Sequence, residues 1–469
     1  MSNKVVKAGV WYTVCNFLTK GAVFLSTPFF TRMMTKSDIG SFSNMASWLE
    51  ILIPIVTLEF TVSLNIARFD YKNELNNYIL STLVYGSIIT SCLYAIAFFN
   101  MDYICKFFSL KPYMIHIMFI YMLVYPALQM FQCENRFRYK YIMSTVVSLS
   151  SVIISVSISV FLTNYINDRL FGRIIGYYGV LIIYNVFLYF YLIKRGKSFS
   201  WKYFRYAFVI SFPMIWHTLS LRLLNAGDRI VITQTIGEEA NAFYTIATTC
   251  SHIVAVLYSS MNNAWSPWAT EKMNEGQTEI IKEKSRYYIV FYSIILVLFL
   301  FVCPELLLLM GGHSYMKALY VLPPVIVSCV FQFVYSLYIN AEFYLKKQTR
   351  IAVGTILASV INIILNYIFV PKYGYVAAAY TTLVGYILLF FFHLISLKML
   401  KKDNWYDNRF NLKIVGIFIV VLLFMNLIYI NNVLRYGFLS IYLFTLSIIC
   451  IKKRDDIKPF FSMFIKKRK

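Results

Sequence analysis

The chain has 469 residues, 59% of them hydrophobic and 14% charged, with a formal net charge of +23. A mean hydropathy of +0.64 excludes an ordinary soluble domain. A charge spread over alternate connections excludes a nucleic-acid surface, which would gather lysine and arginine on one face.

Fourteen long apolar stretches divide the sequence, each near the ~20 residues a helix needs to cross ~30 Å of hydrocarbon. They run over 9–31, 40–65, 77–99, 113–133, 142–163, 174–193, 207–226, 242–264, 288–310, 319–340, 351–370, 375–397, 412–430 and 434–451. The first has weak charge before it and no small-residue cleavage site, so it reads as a retained helix rather than a signal peptide. Lys20 lies near its middle. A lysine at a helix centre costs about 2.5–3.5 kcal/mol to insert, so Lys20 must face protein or water, as a functional residue or as half of a structural ion pair. Span two carries Glu50 and Glu59, nine residues apart. On a continuous helix they would be about 13.5 Å apart and on opposite faces. They therefore form no acid–base pair, and each is a candidate to balance Lys20 or to wet a cavity.

Pro28, Pro54, Pro126, Pro213 and Pro323-Pro324 interrupt spans one, two, four, seven and ten. Each removes an i→i−4 bond. Such bends are either ordinary in membrane helices or the joints of a rocking transporter. The basic connection Lys194–Arg205 reads as a joint between two halves. Span seven carries Arg222 toward its outer end, to snorkel or to face a cavity. Asp228-Arg229 follow just outside it, as a surface anchor or a gate. The connection Ser266–Tyr287 has mixed charge and is expected to form a surface amphipathic helix, with Glu279–Lys282 and Glu283–Arg286 at attractive i,i+3 spacing.

His116, His217, His252, His313 and His393 stand apart and read as packing residues. No HExxH, GxSxG, Walker A or GxGxxG occurs, so no catalytic residue is expected. The 8 cysteines form no CxxC pair, so neither a disulfide framework nor a metal site is expected. Trp11, Trp48, Trp201, Trp265 and Trp268 suit membrane interfaces. The 38 tyrosines exceed what an interfacial belt needs, and sequence alone leaves open whether the rest line a wet interior.

Connections after odd-numbered spans hold ten basic residues, Arg32, Lys36, Lys106, Lys111, Arg169, Arg173, Arg229, Lys317, Lys372 and Arg435. Lys20 and Arg222 lie within spans, and the other 32 of 44 fall on the N-terminus, the even connections and the tail, which ends Lys466-Lys467-Arg468-Lys469. This bias places both termini in the cytoplasm. A weak repeat supports two halves. Ile39-Gly40 is echoed 197 residues later by Ile236-Gly237, and Asn164-Tyr165-Ile166 is echoed 202 residues later by Asn366-Tyr367-Ile368. The expected architecture is all-α and polytopic, with a six-helix lobe over 1–200, a second over 201–400, and two appended helices with a basic cytoplasmic tail over 401–469.

Four pieces carry a resemblance to a known family. They are Pro28-Phe29-Phe30-Thr31-Arg32 with Asp38-Ile39-Gly40; Asn225-Ala226-Gly227-Asp228-Arg229-Ile230 with Gly237 and Tyr244; Asn262 through Pro267; and Pro371-Lys372-Tyr373-Gly374-Tyr375-Val376-Ala377-Ala378-Ala379-Tyr380. Together they resemble the Wzx-like polysaccharide-biosynthesis flippases of the multidrug/oligosaccharidyl-lipid/polysaccharide exporter superfamily, over residues 1–400. The resemblance implies a non-enzymatic flippase of the bacterial cytoplasmic membrane. It would move undecaprenyl-diphosphate-linked oligosaccharide by alternating access, for capsule, O-antigen or exopolysaccharide, and supply the polysaccharide polymerase machinery. The rivals are a lipid II flippase, a cation-coupled drug exporter of the same fold, and an integral polymerase or ligase. Lys20 and Arg222, with Arg32 and Arg229 from the matched pieces, are the candidate substrate contacts, since cationic walls would offset desolvation of a diphosphate. Glu50, Glu59 and Asp228 are the candidate coupling or charge-balancing residues. No cofactor is expected, and the coupling ion, proton or sodium, is left open.

Overall fold

The computed structural model describes residues 3–452, and no strand occurs among them. The basic tail beyond Lys452 lies outside the described residues. The α-helices are, in chain order, α1 (Asn3–Met33), α2 (Lys36–Val56), α3 (Phe60–Asp70), α4 (Leu75–Phe99), α5 (Met101–Phe108), α6 (Pro112–Phe137), α7 (Tyr141–Tyr165), α8 (Arg169–Ile174), α9 (Val180–Arg195), α10 (Trp201–Thr235), α11 (Glu238–Asn274), α12 (Thr278–Gly311), α13 (Leu322–Tyr344), α14 (Gln348–Tyr373), α15 (Tyr375–Met399), α16 (Asn408–Ile428) and α17 (Asn432–Lys452). A π-helical turn, Ile175–Gly179, joins α8 to α9, and a 3-10 segment, His313–Val321, leads into α13. Lipid offers no partner for a free N–H or C=O, so apolar segments must satisfy their backbone as helices.

Thirteen helical segments among the described residues are long and apolar enough to cross a bilayer. Three of them are composite: α2 with α3, α8 with α9, and the 3-10 segment with α13. The remaining sequence span falls on α1, 31 residues long, which packs along α7. The protein is a multi-pass integral membrane protein.

Several local expectations are corrected. The connection Ser266–Tyr287 is not a separate surface helix, because α11 continues to Asn274 and α12 begins at Thr278. Glu279 and Lys282 approach to 3.9 Å, whereas Arg286 reaches Asp407 instead of Glu283. Pro323-Pro324 do not interrupt a helix. They occupy the first turn of α13, where the missing N–H has no bond to lose. Asp228-Arg229 do not lie outside a span, since α10 runs on to Thr235.

The joint after α9 is pinned in place. Arg195 makes paired bonds to the buried Glu134 of α6, one of them 2.8 Å, and also reaches Asn76 of α4 at 2.8 Å. Beyond it α10 is shared. Its N-terminal half meets α3 and α4 through Tyr203–Glu74 at 2.6 Å and Tyr206–Asp70. Its C-terminal half packs on α14, α15 and α2.

Candidate functional site

Two mid-span charges of this chain, Lys20 and Arg222, are exposed. On α10, Arg222, Asn225 and Arg229 follow at i, i+3 and i+7 and so share one face. Arg222 and Asn225 are exposed. Arg222 Nη1 lies 3.8 Å from Glu50 Oε2 of α2, with the side chains 50% and 43% exposed. An exposed pair of this kind stabilises by at most about 1 kcal/mol, so it does not lock the two helices together. Glu59 and Tyr125 of α6 lie within electrostatic reach of the same guanidinium. Lys20 of α1 is exposed as well, and its charge and that of Arg229 both reach His252 of α11. Among the described residues Lys20 has no carboxylate within ion-pair distance, which leaves its structural-bridge reading without a partner. These groups come from α1, α2, α6, α10 and α11, and together they mark the candidate cleft.

Glu50 and Glu59 turn out to serve the same cleft. The opposite-face expectation assumed a continuous helix, and the helix is broken. After Pro54, α2 ends at Val56, and Leu58 and Glu59 take left-handed conformations with φ of 48° and 50°. Such a conformation costs roughly 1–3 kcal/mol in a residue with a side chain. The break resets the helical phase, and both carboxylates come within reach of Arg222 and Tyr125.

Asp228 is buried at 2% exposure rather than on a surface. Its Oδ2 accepts from the Tyr244 and Thr382 hydroxyls at 2.5 Å each, and its Oδ1 accepts from Asn366 Nδ2 at 2.6 Å. Asn362 donates to Thr382 at 3.4 Å, and Thr381 donates to Asn366. A buried carboxylate is tolerable only when its oxygens are satisfied. Here α11, α14 and α15 supply the donors. Arg229 Nη2 reaches Thr248 at 3.4 Å, and its Nε has no partner.

Arg32 lies apart from the cleft. It donates to Pro28 O at 2.7 Å and to Leu309 O of α12 at 3.4 Å, the geometry of a cation on helix-end carbonyls. It belongs to a latch of contacts that ties α1 and α2 to α11 and α12 at one end of these helices. Thr31 donates to Met310 O at 2.6 Å. Lys36 pairs with Glu239 at 3.2 Å, Ser37 bonds Glu238, Asn241 Nδ2 donates to Gly40 O at 2.9 Å, and Ser43 meets Thr245 at 2.6 Å. At position 40 a Cβ would overlap the Glu238 carbonyl, so only glycine permits this approach. The two echoed Ile-Gly turns of the sequence thus meet face to face.

Sequence reading missed a second buried constellation. His393 of α15 and Glu342 of α13 are both fully buried, with Nδ1 and Oε2 2.9 Å apart. Neither His393 Nε2 nor Glu342 Oε1 has a partner. The only sequence signal was a histidine and a glutamate at similar depth near the ends of spans ten and twelve.

The family model described as "Polysaccharide biosynthesis protein" matches residues 5–273, and the model described as "MatE" matches 213–368. A protein of the Lsg locus of Haemophilus influenzae is 22% identical over 373 residues, covering 77% of this chain and 90% of its own length. The fold is similar to that of the lipid II flippase MurJ in an inward closed conformation, with a TM-score of 0.69 at 17% identity, covering 96% of this chain and 100% of that one. It is also similar to an inward-facing multidrug-resistance MATE transporter of the MOP superfamily, with a TM-score of 0.62 at 14% identity, covering 82% and 96%.

Proposed function

Because the chain belongs to the polysaccharide biosynthesis protein family, we propose that this membrane transporter carries undecaprenyl-diphosphate-linked oligosaccharide units across the bacterial cytoplasmic membrane, for capsule, O-antigen or exopolysaccharide assembly. The observation that carries the proposal is a set of mid-span cations, with Lys20 in no ion pair among the described residues, beside the contacts that tie α1 and α2 to α11 and α12. The charges of Lys20 and Arg229 both reach His252, and in this reading they supply attraction for a diphosphate while the prenyl tail stays in lipid. Lys20, Arg222 and Arg229 are the substrate contacts in this reading, and Arg32 is a latch residue. Glu50 and Glu59 balance Arg222. Asp228, with five neighbouring polar groups on three helices, is the coupling-ion candidate. The latch opens and the opposite end closes as the sugar head crosses, with both chain termini in the cytoplasm.

The test is translocation by the purified full chain in proteoliposomes, read by access of an impermeant sugar-binding reagent to the lipid-linked head. Lys20→Ala should reduce the rate at least tenfold at unchanged protein level, and Lys20→Arg should keep part of it because the charge survives in another shape. Unchanged transport in Lys20→Ala removes this residue from the site. Lipid II moved as well as the oligosaccharide lipid would favour the lipid II reading.

A further inference from the structure

We propose that four tyrosines of α6 and the π-helical turn form a saccharide-binding subsite on the cleft wall, which takes pyranose rings of the substrate head. The proposal rests on the flippase reading above and adds where the sugar is held. Tyr121 and Tyr125 project from α6, with ring centroids 5.1 Å apart. Tyr177 and Tyr178 are adjacent in sequence, and on an α-helix adjacent side chains diverge by about 100°. Here the segment Ile175–Gly179 is a π-turn, a feature often found at functional sites. Both tyrosines then join one cluster: Tyr178 lies 5.2 Å from Tyr121, the Tyr177 and Tyr178 rings are 5.1 Å apart, and Phe42 of α2 closes the group at 6.1 and 5.9 Å. The turn presses against α7 so closely that a Cβ on Gly176 would overlap Ser159.

The rings are packed and the hydroxyls are not. Tyr121 and Tyr178 are 7% and 6% exposed, yet the hydroxyls of Tyr121, Tyr177 and Tyr178 have no hydrogen-bond partner among the described residues and are not sealed from solvent. A buried tyrosine ordinarily finds a partner for its O–H within the protein. Several side by side without one leave their bonds to whatever fills the cleft. The cluster also sits among the charges, because Tyr125 is in electrostatic reach of Arg222, Glu50 and Glu59, and Tyr178 of Glu50. Free hydroxyls side by side match the edge of a pyranose, which presents a row of hydroxyls. A prenyl chain would leave them unbonded.

The full chain in nanodiscs should bind undecaprenyl diphosphate bearing an oligosaccharide about tenfold more tightly than undecaprenyl diphosphate itself, the increment of one or two hydrogen bonds. Tyr125→Leu and Tyr177→Leu should erase that preference, and Tyr177→Phe, which keeps the ring and so guards against misfolding, should lose part of it. A wild-type chain with no preference, or a preference that survives both leucine variants, overturns the subsite. Failure of the flippase reading is a separate outcome, since it appears as binding without translocation of either lipid.

Discussion

At the scale of single residues, depth was legible and pairing was not. Lys20 stands out because a lysine among Phe17, Leu18, Ala22 and Val23 has no business in lipid, and it is exposed and in no ion pair among the described residues. His393 stood out only as a lone histidine, because Glu342 is 51 residues away on another helix. Helical periodicity tells which residues share a face and is silent about which faces meet. The pair now carries a stability prediction. Its two partners are sealed from water, so removing one strands the other, at about 1–3 kcal/mol for a neutral polar group and about 3–5 kcal/mol for a charged one. His393→Leu and Glu342→Leu should each lower the thermal midpoint of the purified protein clearly. The double Leu variant should recover much of the loss, since an apolar replacement of a whole buried pair is often neutral. Additive losses in that double-mutant cycle would show that the two side chains do not depend on each other.

At the scale of elements, the sequence marks where helices weaken better than what the weakness does. Pro54 announced a bend in span two, but the break falls at Thr57–Glu59, and its consequence is a change of phase that no count from residue 50 to 59 foresees. Pro323-Pro324 announced a bend and instead start a helix. Asp38-Ile39-Gly40 marked a turn. Thr35 and Asp38 cap α2 reciprocally there, and the capped end then brings Gly40 onto the first turn of α11. Gly40→Val tests that contact. A branched side chain has no room against the Glu238 backbone, so the closed latch should be lost while each helix still forms. Maleimide labelling of Ser43→Cys, slow behind Thr245 in the parent, should become at least several-fold faster in the Gly40→Val background. Labelling at an unchanged rate would mean that the approach of α2 to α11 does not depend on this glycine.

At the scale of the whole molecule, hydropathy fixed the helices because crossing lipid is a requirement every span meets independently. The order of the cleft walls depends on contacts between helices that the sequence does not spell out, and the charge bias speaks only to which ends face the cytoplasm. That bias puts the latch of α1 and α2 against α11 and α12 on the outer side. Cysteines at Lys106 and Lys317 should then react with an impermeant reagent from outside, and one at Lys402 from inside. The latch offers the stricter test of alternating access. Ser43 Oγ and Thr245 Oγ1 are 2.6 Å apart, a separation from which a disulfide needs little movement of the helices. In a chain otherwise freed of cysteine, Ser43→Cys with Thr245→Cys should crosslink on oxidation and hold the latch shut. Transport should then fall to background and return on reduction, with each single variant insensitive to oxidant. A fully crosslinked protein that still carried substrate at the parent rate would mean the lipid-linked head leaves by a path other than between these helices, and the rocking mechanism would have to be abandoned. Loss of transport that reduction reverses, together with labelling of Lys106 and Lys317 positions from outside, joins the mechanism to the orientation, because a latch on the cytoplasmic side would block loading rather than release and leave substrate unbound.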